Sequence, residues 1–270
     1  MKVLVINIFT DEQKDRMRQA AARNNCEITF FDSPAQVGDE IEEADIIYGA
    51  PLKLMPKAKN LKWIHLSSAG ADAFCKEGVV PEDVLMSNSA GAYGVTLAEY
   101  MVMVTLMLLR RQMEFETNMA QRNWIAPLRH KTLKNSRVTL MGAGDIGQCY
   151  AKRIRPFEPA KITAISRTGK TTADCFDEIY PMEAYKEVFP RTDILVMSMP
   201  STPETIGFIN KETLALLPKD AYVINVGRGT AVVEEDLIDA LENDRLAAAC
   251  LDVMATEPLP KDDPLWGTKN

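Results

Sequence analysis

The fold of this chain is indicated most clearly by residues 138–147, which read Val-Thr-Leu-Met-Gly-Ala-Gly-Asp-Ile-Gly. The first four residues suit a buried strand, and a G-x-G-x-x-G turn follows them directly. Apolar residues at helical spacing, such as Ile146 and Ile154, come next. A strand, a glycine turn and a helix in this order are typical of a βαβ unit that binds the diphosphate of a dinucleotide. The pattern therefore favours a dinucleotide site over a merely glycine-rich turn.

Each glycine of the turn has an expected role. Gly142 makes a turn too tight for a Cβ, Gly144 leaves room for a pyrophosphate, and Gly147 lets the helix pack closely on the strand. Asp145 and Ile146 lie in the first turn of that helix, where backbone N–H groups and the helix dipole attract an anion. We therefore predict that these five residues bind the cofactor.

The composition is that of an ordinary globular protein and excludes several classes. With 270 residues, 46% apolar and 26% charged, the chain can form one large or two modest domains. A net charge of −7 without a basic cluster argues against a nucleic-acid partner. The five cysteines are scattered without a C-x-x-C pair, which indicates reduced thiols and a cytoplasmic location. The two histidines are far apart in sequence, so we expect no metal site.

No membrane segment is expected. The N-terminal residues 1–7 read as a first strand and not as a signal peptide. The stretch from Tyr100 to Leu109 is apolar on every side but too short to span a bilayer. A helix of this kind must be buried in a core or against another subunit.

The chain alternates strands and helices in two stretches, which predicts parallel sheets in an α/β fold. In the first stretch, strands are predicted at residues 3–8, 27–31, 45–48, 61–66 and 84–87. In the second, after the glycine-turn strand, strands are predicted at residues 161–165, 193–199, 221–226 and 246–253, and helices at 182–189, 211–217 and 235–243. The polar stretch with Arg122, Trp124, Pro127 and His130 is interpreted as a hinge between two domains.

The residues after the strand at 161–165 bear on the choice of cofactor. An acidic residue that binds the ribose 2′-OH of NAD is expected there, but the sequence has Ser166, Arg167 and Thr168, with Lys170 nearby. A guanidinium can bind a 2′-phosphate through two hydrogen bonds, whereas a carboxylate would repel it. The pattern favours NADP and keeps NAD as the alternative. The plainer interpretation is that Arg167 is a solvated loop charge.

Two further loops contain residues suited to chemistry. Arg228 lies between Gly227 and Gly229 after a predicted buried strand, and its planar fork matches the oxygens of a 2-keto acid. Glu257 begins a Glu-Pro-Leu-Pro turn after another strand. Neither loop alone indicates a function. A loop arginine is commonly a plain surface residue, and a Glu-Pro-Leu-Pro turn by itself has little meaning.

Taken together, these motifs resemble the D-isomer-specific 2-hydroxyacid dehydrogenase family, which includes glyoxylate/hydroxypyruvate reductases. The matching stretches, in order, are Ser67–Asp72, Asn88–Tyr93, Ala98-Glu99, Gly142–Gly147, Met199–Thr205, Asn225–Gly229, Leu251–Val253 and Glu257–Leu259. The resemblance implies two Rossmann-like doubly wound parallel-sheet domains. These are a flavodoxin-like substrate domain at residues 1–97 and an NAD(P)-binding Rossmann domain at residues 98–270, with the active cleft between them.

The resemblance also implies roles for individual residues. Arg228 would hold and polarise the keto acid, and Glu257 would orient the catalytic histidine. Substrate binding would involve the backbone amides of Ser68, Ala69 and Gly70, with Tyr93 nearby. The residues lining the cofactor would be Ser166, Arg167, Thr168, Pro200, Thr205, Val226, Gly227 and Asp252. The apolar helix after Thr96 matches the segment that pairs subunits in family homodimers.

The expected activity is NADP(H)-dependent reduction of a small 2-keto acid, such as glyoxylate or hydroxypyruvate, to a D-2-hydroxy acid by hydride transfer. The alternative is a dinucleotide-sensing, non-catalytic binding protein on the same fold, because fold alone does not decide function. Turnover of a 2-keto acid separates the two.

The match departs from the family pattern at its end. The family's catalytic histidine follows the Glu-Pro-Leu turn in a Thr-Pro-His-like segment, and its last strand and returning helix come later still. The sequence stops at Asn270 before any of these. Neither His65 nor His130 matches the motif: His65 is expected to be a satisfied strand histidine and His130 to be solvated. We expect a shortened form of a longer enzyme. The alternative is a protein that ends here, binds cofactor and reduces substrate poorly.

Overall fold

The computed structural model describes residues 1–125 and 129–269. The chain separates into two compact units, Met1–Tyr93 and Gly94–Asn270. No helix within the described residues combines the length and the hydropathy needed to cross a membrane.

The first unit is built on one parallel sheet. Its elements are β1 (Lys2–Ile6), α1 (Asp11–Arg23), β2 (Glu27–Phe31), β3 (Ile46–Gly49), β4 (Trp63–Leu66) and β5 (Leu85–Asn88). The strand order β2-β1-β3-β4-β5 is that of a flavodoxin-like sheet. Inward-facing residues such as Leu4, Ile47 and Ile64 form its core. All five predicted strands are present, with shifts at their ends.

The second unit contains the glycine turn. Its elements are α2 (Gly94–Arg110), α3 (Gln112–Ala120), β6 (Arg137–Met141), α4 (Asp145–Ile154), β7 (Lys161–Ser166), β8 (Glu178–Pro181), α5 (Tyr185–Val188), β9 (Ile194–Met197), α6 (Lys211–Leu214), β10 (Tyr222–Asn225), α7 (Glu234–Glu242) and β11 (Ala248–Leu251). The strands are parallel in the order β11-β10-β9-β6-β7-β8. This is the dinucleotide-binding order, in which the direction of winding reverses between β6 and β9. The predicted fold class is therefore confirmed.

Strand β8 was not predicted from the sequence. It has four residues, of which the first is Glu178 and the last Pro181, so no apolar run marks it. It lies at the sheet edge beside β7, where a proline is tolerated because one side of the strand has no hydrogen-bonding neighbour.

The sheet of the second unit is covered on both faces. One face packs against α2 and α4, where Thr105 Oγ1 and Tyr150 OH lie 2.8 Å apart in the buried interface. The other face packs against Phe189 and Leu237. Helix α2 buries Met101 and Leu109, whereas Met103 on the same helix keeps 49% of its surface exposed. The sequence predicts that this apolar helix is buried on every side. Within the single chain, one face of the helix is buried and another is exposed.

The expected hinge in the polar stretch is wrong. Arg122, Trp124 and His130 lie inside the second unit, since the division of the chain falls after Tyr93. The N–H of Lys131, directly after this stretch, donates to the carbonyl oxygen of Leu109 in α2 at 3.0 Å, and α2 itself packs on α4. Pro127 lies outside the described residues.

Candidate active site

The glycine turn between β6 and α4 has a steric reason for two of its three glycines, Gly142 and Gly147. Gly142 has φ of +113°, and a Cβ there would lie 2.9 Å from Ser198 Oγ. A Cβ on Gly147 would lie 2.2 Å from the carbonyl oxygen of Gly142, so only glycine allows α4 to approach this closely. At Gly144 a Cβ would meet no atom within 4 Å. The expected geometry of Gly142 and Gly147 is confirmed, and the space at Gly144 fits a diphosphate.

The start of α4 supports an anion site. The N–H groups at the start of a helix have no partner within the helix, and they include those of Asp145 and Ile146. The Asp145 carboxylate lies against the start of α2, because a Cβ on Gly94 would lie 2.2 Å from Asp145 Oδ2. Gly94 is therefore the residue that makes room for this side chain.

The end of β7 carries the positive charge predicted from the sequence. Ser166 is the last residue of the strand, and Arg167 and Thr168 follow with exposed side chains. A hydrogen bond with Thr202 lowers the pKa of Glu204, and the charge of Arg167 lowers it further. The end of β7 and the loop that follows β9 thus bring opposite charges, those of Arg167 and Glu204, near each other.

Two serine hydroxyls lie beside the glycine turn without a partner. The Oγ atoms of Ser166 and Ser198 are buried and form no hydrogen bond with any residue in the described ranges. Ser166 ends β7 and Ser198 follows β9, and these are the two strands that flank β6. A buried hydroxyl without a partner is unusual, so these two are polar atoms at the glycine turn that still have hydrogen-bonding capacity.

The loop after β9 is closed by Thr205. Its hydroxyl donates to the carbonyl oxygen of Pro200 at 2.8 Å and accepts from the N–H of Thr202 at 2.8 Å. The next strand runs alongside, since the N–H of Val226 donates to the carbonyl oxygen of Met197 at 3.0 Å. Pro200, Thr205 and Val226 thus lie at the carboxyl edge of the sheet, where ligands of such folds bind.

The turn that carries Arg228 is held by Asn225. This asparagine is fully buried at the end of β10, where its Oδ1 accepts from the N–H of Gly227 at 3.0 Å. Its Nδ2 donates to the carbonyl oxygen of Arg228 at 2.9 Å. A Cβ on Gly227 would lie 2.7 Å from the carbonyl oxygen of Met199, so this turn also lies against the loop after β9.

The loops of Arg228 and Glu257 are joined through Met254. A Cβ on Gly229 would lie 1.9 Å from the carbonyl carbon of Met254, which places the two backbones in direct contact. The N–H of Met254 donates to Glu257 Oε1 at 3.0 Å. Asp252 lies at the same edge, because its N–H donates to the carbonyl oxygen of Asn225 at 2.9 Å. The structure thus gathers the residues predicted at the ends of β10 and β11.

Three of the four predicted substrate-binding residues, Ser68, Ala69 and Gly70, lie in one half-buried loop after β4. The hydroxyl of Ser68 donates to the carbonyl oxygen of Gly70 at 2.7 Å, and Tyr93 OH donates to the carbonyl oxygen of Ser67. The N–H groups of Ser68, Ala69 and Gly70 form no hydrogen bond with the part of the chain that the structure describes. They are therefore available to an anion, as a carboxylate site requires.

Neither histidine stands in the motif that a catalytic role would need. His65 is half-buried on β4, and both of its ring nitrogens contact serine hydroxyls, so the predicted satisfied strand histidine is confirmed. His130 has an exposed side chain, as predicted.

Several residues that shape these loops were not assigned a role from the sequence. They are Asn88, Ser89, Ser198 and Asn225. The available signal was a polar residue directly after an apolar strand, such as Asn225 after Tyr222–Ile224. A polar side chain buried at a strand end must find hydrogen-bond partners nearby, and loop backbone is what lies there.

The strand order, the tight packing at Gly142 and Gly147 and the open space at Gly144 define a dinucleotide-binding protein of the Rossmann type. Residues 102–270 match the family model described as "D-isomer specific 2-hydroxyacid dehydrogenase, NAD binding domain". A relative named glyoxylate/hydroxypyruvate reductase A, from Serratia proteamaculans, is 31% identical over 86% of this chain and 75% of its own length. The chain belongs to the D-isomer specific 2-hydroxyacid dehydrogenase family, a family of NAD(P)-linked oxidoreductases, and the predicted resemblance is confirmed.

Solved structures agree with this assignment. A D-isomer specific 2-hydroxyacid dehydrogenase family protein from Aeromonas salmonicida has a TM-score of 0.87 and 30% identity, covering 100% of this chain and 86% of that one. An NADPH-dependent glyoxylate/hydroxypyruvate reductase from Sinorhizobium meliloti, solved with NADP and sulfate, has a TM-score of 0.82 and 26% identity. That match covers 98% of this chain and 84% of the other.

Proposed function

We propose that this chain carries out NADP(H)-dependent reduction of small 2-keto acids, such as glyoxylate or hydroxypyruvate, to D-2-hydroxy acids. The observation that carries the proposal is Arg228, which a buried asparagine holds at the same sheet edge as the glycine turn. The names and the NADP complex of the relatives described above support the same reaction.

The cofactor would lie along the carboxyl edge of the second unit's sheet. The first turn of α4 would bind its diphosphate, with Gly144 leaving the space. Arg167 would bind the 2′-phosphate of NADP, because a guanidinium forms strong paired hydrogen bonds to phosphate oxygens. A bound NADPH supplies the hydride for the reduction.

The chain's own residues would bind the acid and stabilise charge. Arg228 would hold and polarise the keto acid, since its five donors suit oxygens that gain negative charge. The free N–H groups of Ser68, Ala69 and Gly70 would bind the carboxylate, with Tyr93 fixing their loop. By the family resemblance Glu257 would orient a proton-donating histidine, and the 270 residues of this sequence contain no histidine after the Glu-Pro-Leu turn.

Absorbance of the reduced nicotinamide tests the proposal. We expect NADPH to be consumed with glyoxylate or hydroxypyruvate, and NADH to be consumed more slowly at equal concentration. Tight NADPH binding without turnover of any small 2-keto acid would instead indicate a dinucleotide-sensing protein. Preference for NADH would contradict the role given to Arg167.

We propose further that the chain forms a homodimer through α2. Helix α2 is strongly apolar, and two of its apolar side chains, Val95 and Met103, are exposed to solvent in the single chain. An exposed apolar face of this kind is a usual subunit contact.

The five cysteines are all free thiols, which supports a cytoplasmic location.

A further inference from the structure

The backbone of the loop after β4 is fastened by one short segment, residues 88–93. Four consecutive carbonyl oxygens, those of residues 66–69, each accept a hydrogen bond from this segment. The four bonds are Ser89 Oγ to Leu66 O at 2.9 Å, Tyr93 OH to Ser67 O, Ser89 N to Ser68 O at 3.1 Å and Asn88 Nδ2 to Ala69 O at 2.7 Å. These four carbonyl groups of the loop thus all accept hydrogen bonds from this segment. The N–H groups of the loop at residues 68–70, in contrast, have no partner among the described residues.

Ser89 has a special place in this arrangement because it supplies two of the four bonds. Its hydroxyl also lies 3.3 Å from His65 Nε2. A serine hydroxyl has one proton, and the carbonyl of Leu66 can only accept, so that proton is used there. His65 Nε2 must therefore carry the hydrogen and donate it to Ser89.

The other ring nitrogen of His65 is consistent with this assignment. The N–H of the Trp63 indole can only donate, and it donates to Ser87 Oγ at 2.9 Å. The Ser87 hydroxyl is then free to donate to His65 Nδ1, 2.8 Å away, which accepts. Donors and acceptors match along Trp63, Ser87, His65 and Ser89 as far as the carbonyl of Leu66. Stacking on Tyr48, with ring centroids 5.4 Å apart, holds the imidazole in place.

We infer that Ser89 and His65 are positioning residues for the backbone amides of Ser68, Ala69 and Gly70. His65 holds the hydroxyl of Ser89, and Ser89 fixes the carbonyls of Leu66 and Ser68. The peptide unit of the Ser68 carbonyl carries the N–H of Ala69, so this anchoring keeps the N–H groups around it available to a substrate carboxylate. The inference rests on the proposed function, because it names what orders the carboxylate-binding loop of that same site.

The test uses the full chain and oxamate, a small analogue of a 2-keto acid. NADPH binding is titrated first, and oxamate is then titrated into the NADPH-saturated protein by calorimetry. Ser89→Ala should weaken oxamate binding about tenfold, which corresponds to about 1.4 kcal/mol, and leave NADPH binding unchanged. Ser89→Thr keeps a hydroxyl and should restore most of the affinity. Ser33→Ala is the matched control, because the side chain of Ser33 forms no capping hydrogen bond.

A second pair of variants guards against a misfolded Ser89→Ala protein. His65→Gln retains an amide N–H that can donate to Ser89, whereas His65→Leu has no donor. We expect oxamate affinity to fall several-fold further in His65→Leu than in His65→Gln. The two variants should bind NADPH with equal affinity. Where keto acid turnover is measured, the KM for the acid should rise in Ser89→Ala and His65→Leu while the KM for NADPH stays constant.

The outcomes separate the inference from the function on which it rests. If the wild-type chain binds oxamate and all four variants bind it equally well, the positioning role is overturned and the proposed function stands. If NADPH and oxamate affinities fall together, the two residues only stabilise the fold and the inference is also overturned. If the NADPH-saturated wild type binds neither oxamate nor a small 2-keto acid, both proposals fail.

Discussion

The side-chain amide of Asn225 spans the turn that presents Arg228, donating from Nδ2 to the carbonyl oxygen of Arg228 at 2.9 Å. Its Oδ1 accepts from the N–H of Gly227 in the same turn. An amide can donate and accept at once, whereas an ionised carboxylate can only accept. The orientation of Arg228 therefore depends on a neutral, buried side chain that can donate and accept hydrogen bonds at the same time.

Asn225→Asp tests this dependence. The buried carboxylate would face the carbonyl of Arg228 without a proton, so we expect oxamate affinity in the presence of NADPH to fall about tenfold or more. A protonated carboxyl can donate, and affinity should therefore recover as the pH is lowered.

The matched control for this prediction is Asn24→Asp, since Asn24 makes a similar bond to the carbonyl of Ala20 on the surface. That control should bind oxamate as the wild type does at every pH. Unchanged oxamate binding in Asn225→Asp, in a folded protein, would show that Arg228 does not rely on the turn.

Arg167 is expected to set the choice of cofactor. Arg167→Ala should weaken NADPH binding about 10- to 100-fold and leave NADH binding nearly unchanged, because only NADPH has the 2′-phosphate. Fluorescence titration with both cofactors measures the difference. Arg16→Ala, on the exposed side of α1, serves as the control. An equal loss for both cofactors would argue for a general electrostatic role.

Gly144 and Gly147 should respond differently to the same substitution. Gly147→Ala places a Cβ 2.2 Å from the carbonyl oxygen of Gly142, and we expect it to destabilise the fold by about 1–3 kcal/mol. Gly144→Ala meets no protein atom within 4 Å, so the melting temperature should hold while NADPH affinity falls. Thermal unfolding and NADPH titration of both variants check this. A destabilised Gly144→Ala protein with normal NADPH affinity would contradict the steric account.

The ion pair between Arg137 and Asp193 should make the second unit sensitive to acid. Burial acts to raise the pKa of Asp193, but hydrogen bonds from the side chain and backbone of Arg137 lower it overall below its ordinary 3.8. A carboxyl with a lowered pKa stabilises the fold fully above the unfolded value and loses that contribution as the pH falls through the folded value.

We therefore expect wild-type stability to drop below about pH 4 more steeply than that of Asp193→Asn. The difference at neutral pH should be roughly 1 kcal/mol, because Arg137 is half exposed and solvent screens the pair. Urea unfolding at several pH values measures both slopes. If the free energy of unfolding falls equally with pH in both proteins, Asp193 does not cause the sensitivity to acid.

Met103 tests the proposed dimer. Met103→Lys introduces a charge on the exposed face of α2, and we expect it to shift the chain from dimer to monomer in light scattering. Leu85→Lys, at an exposed position in the first unit, should leave the mass unchanged. A monomeric wild type, or a dimeric Met103→Lys protein, would place the subunit contact elsewhere or remove it.

The sequence by itself determined the class of fold and the location of the glycine turn. Strand, turn and helix are encoded within residues 138–154, since periodicity and the need for glycine are local properties. The same holds for the strands β7, β9, β10 and β11, each of which is an apolar run between turn residues. The family motifs added Arg228 and Glu257 as candidates, but not their surroundings.

Only the tertiary structure decided how those loops are held. Ser89 bonds to Leu66, 23 positions away, and Gly229 touches Met254 because β10 and β11 are neighbours in the sheet. Strand β8 is likewise an edge strand, ordered by its partner β7 and not by its own composition. Sequence patterns record which face of an element is buried. The partners of a buried polar group such as Asn225 or His65 depend on sheet order and loop path, which no local pattern contains.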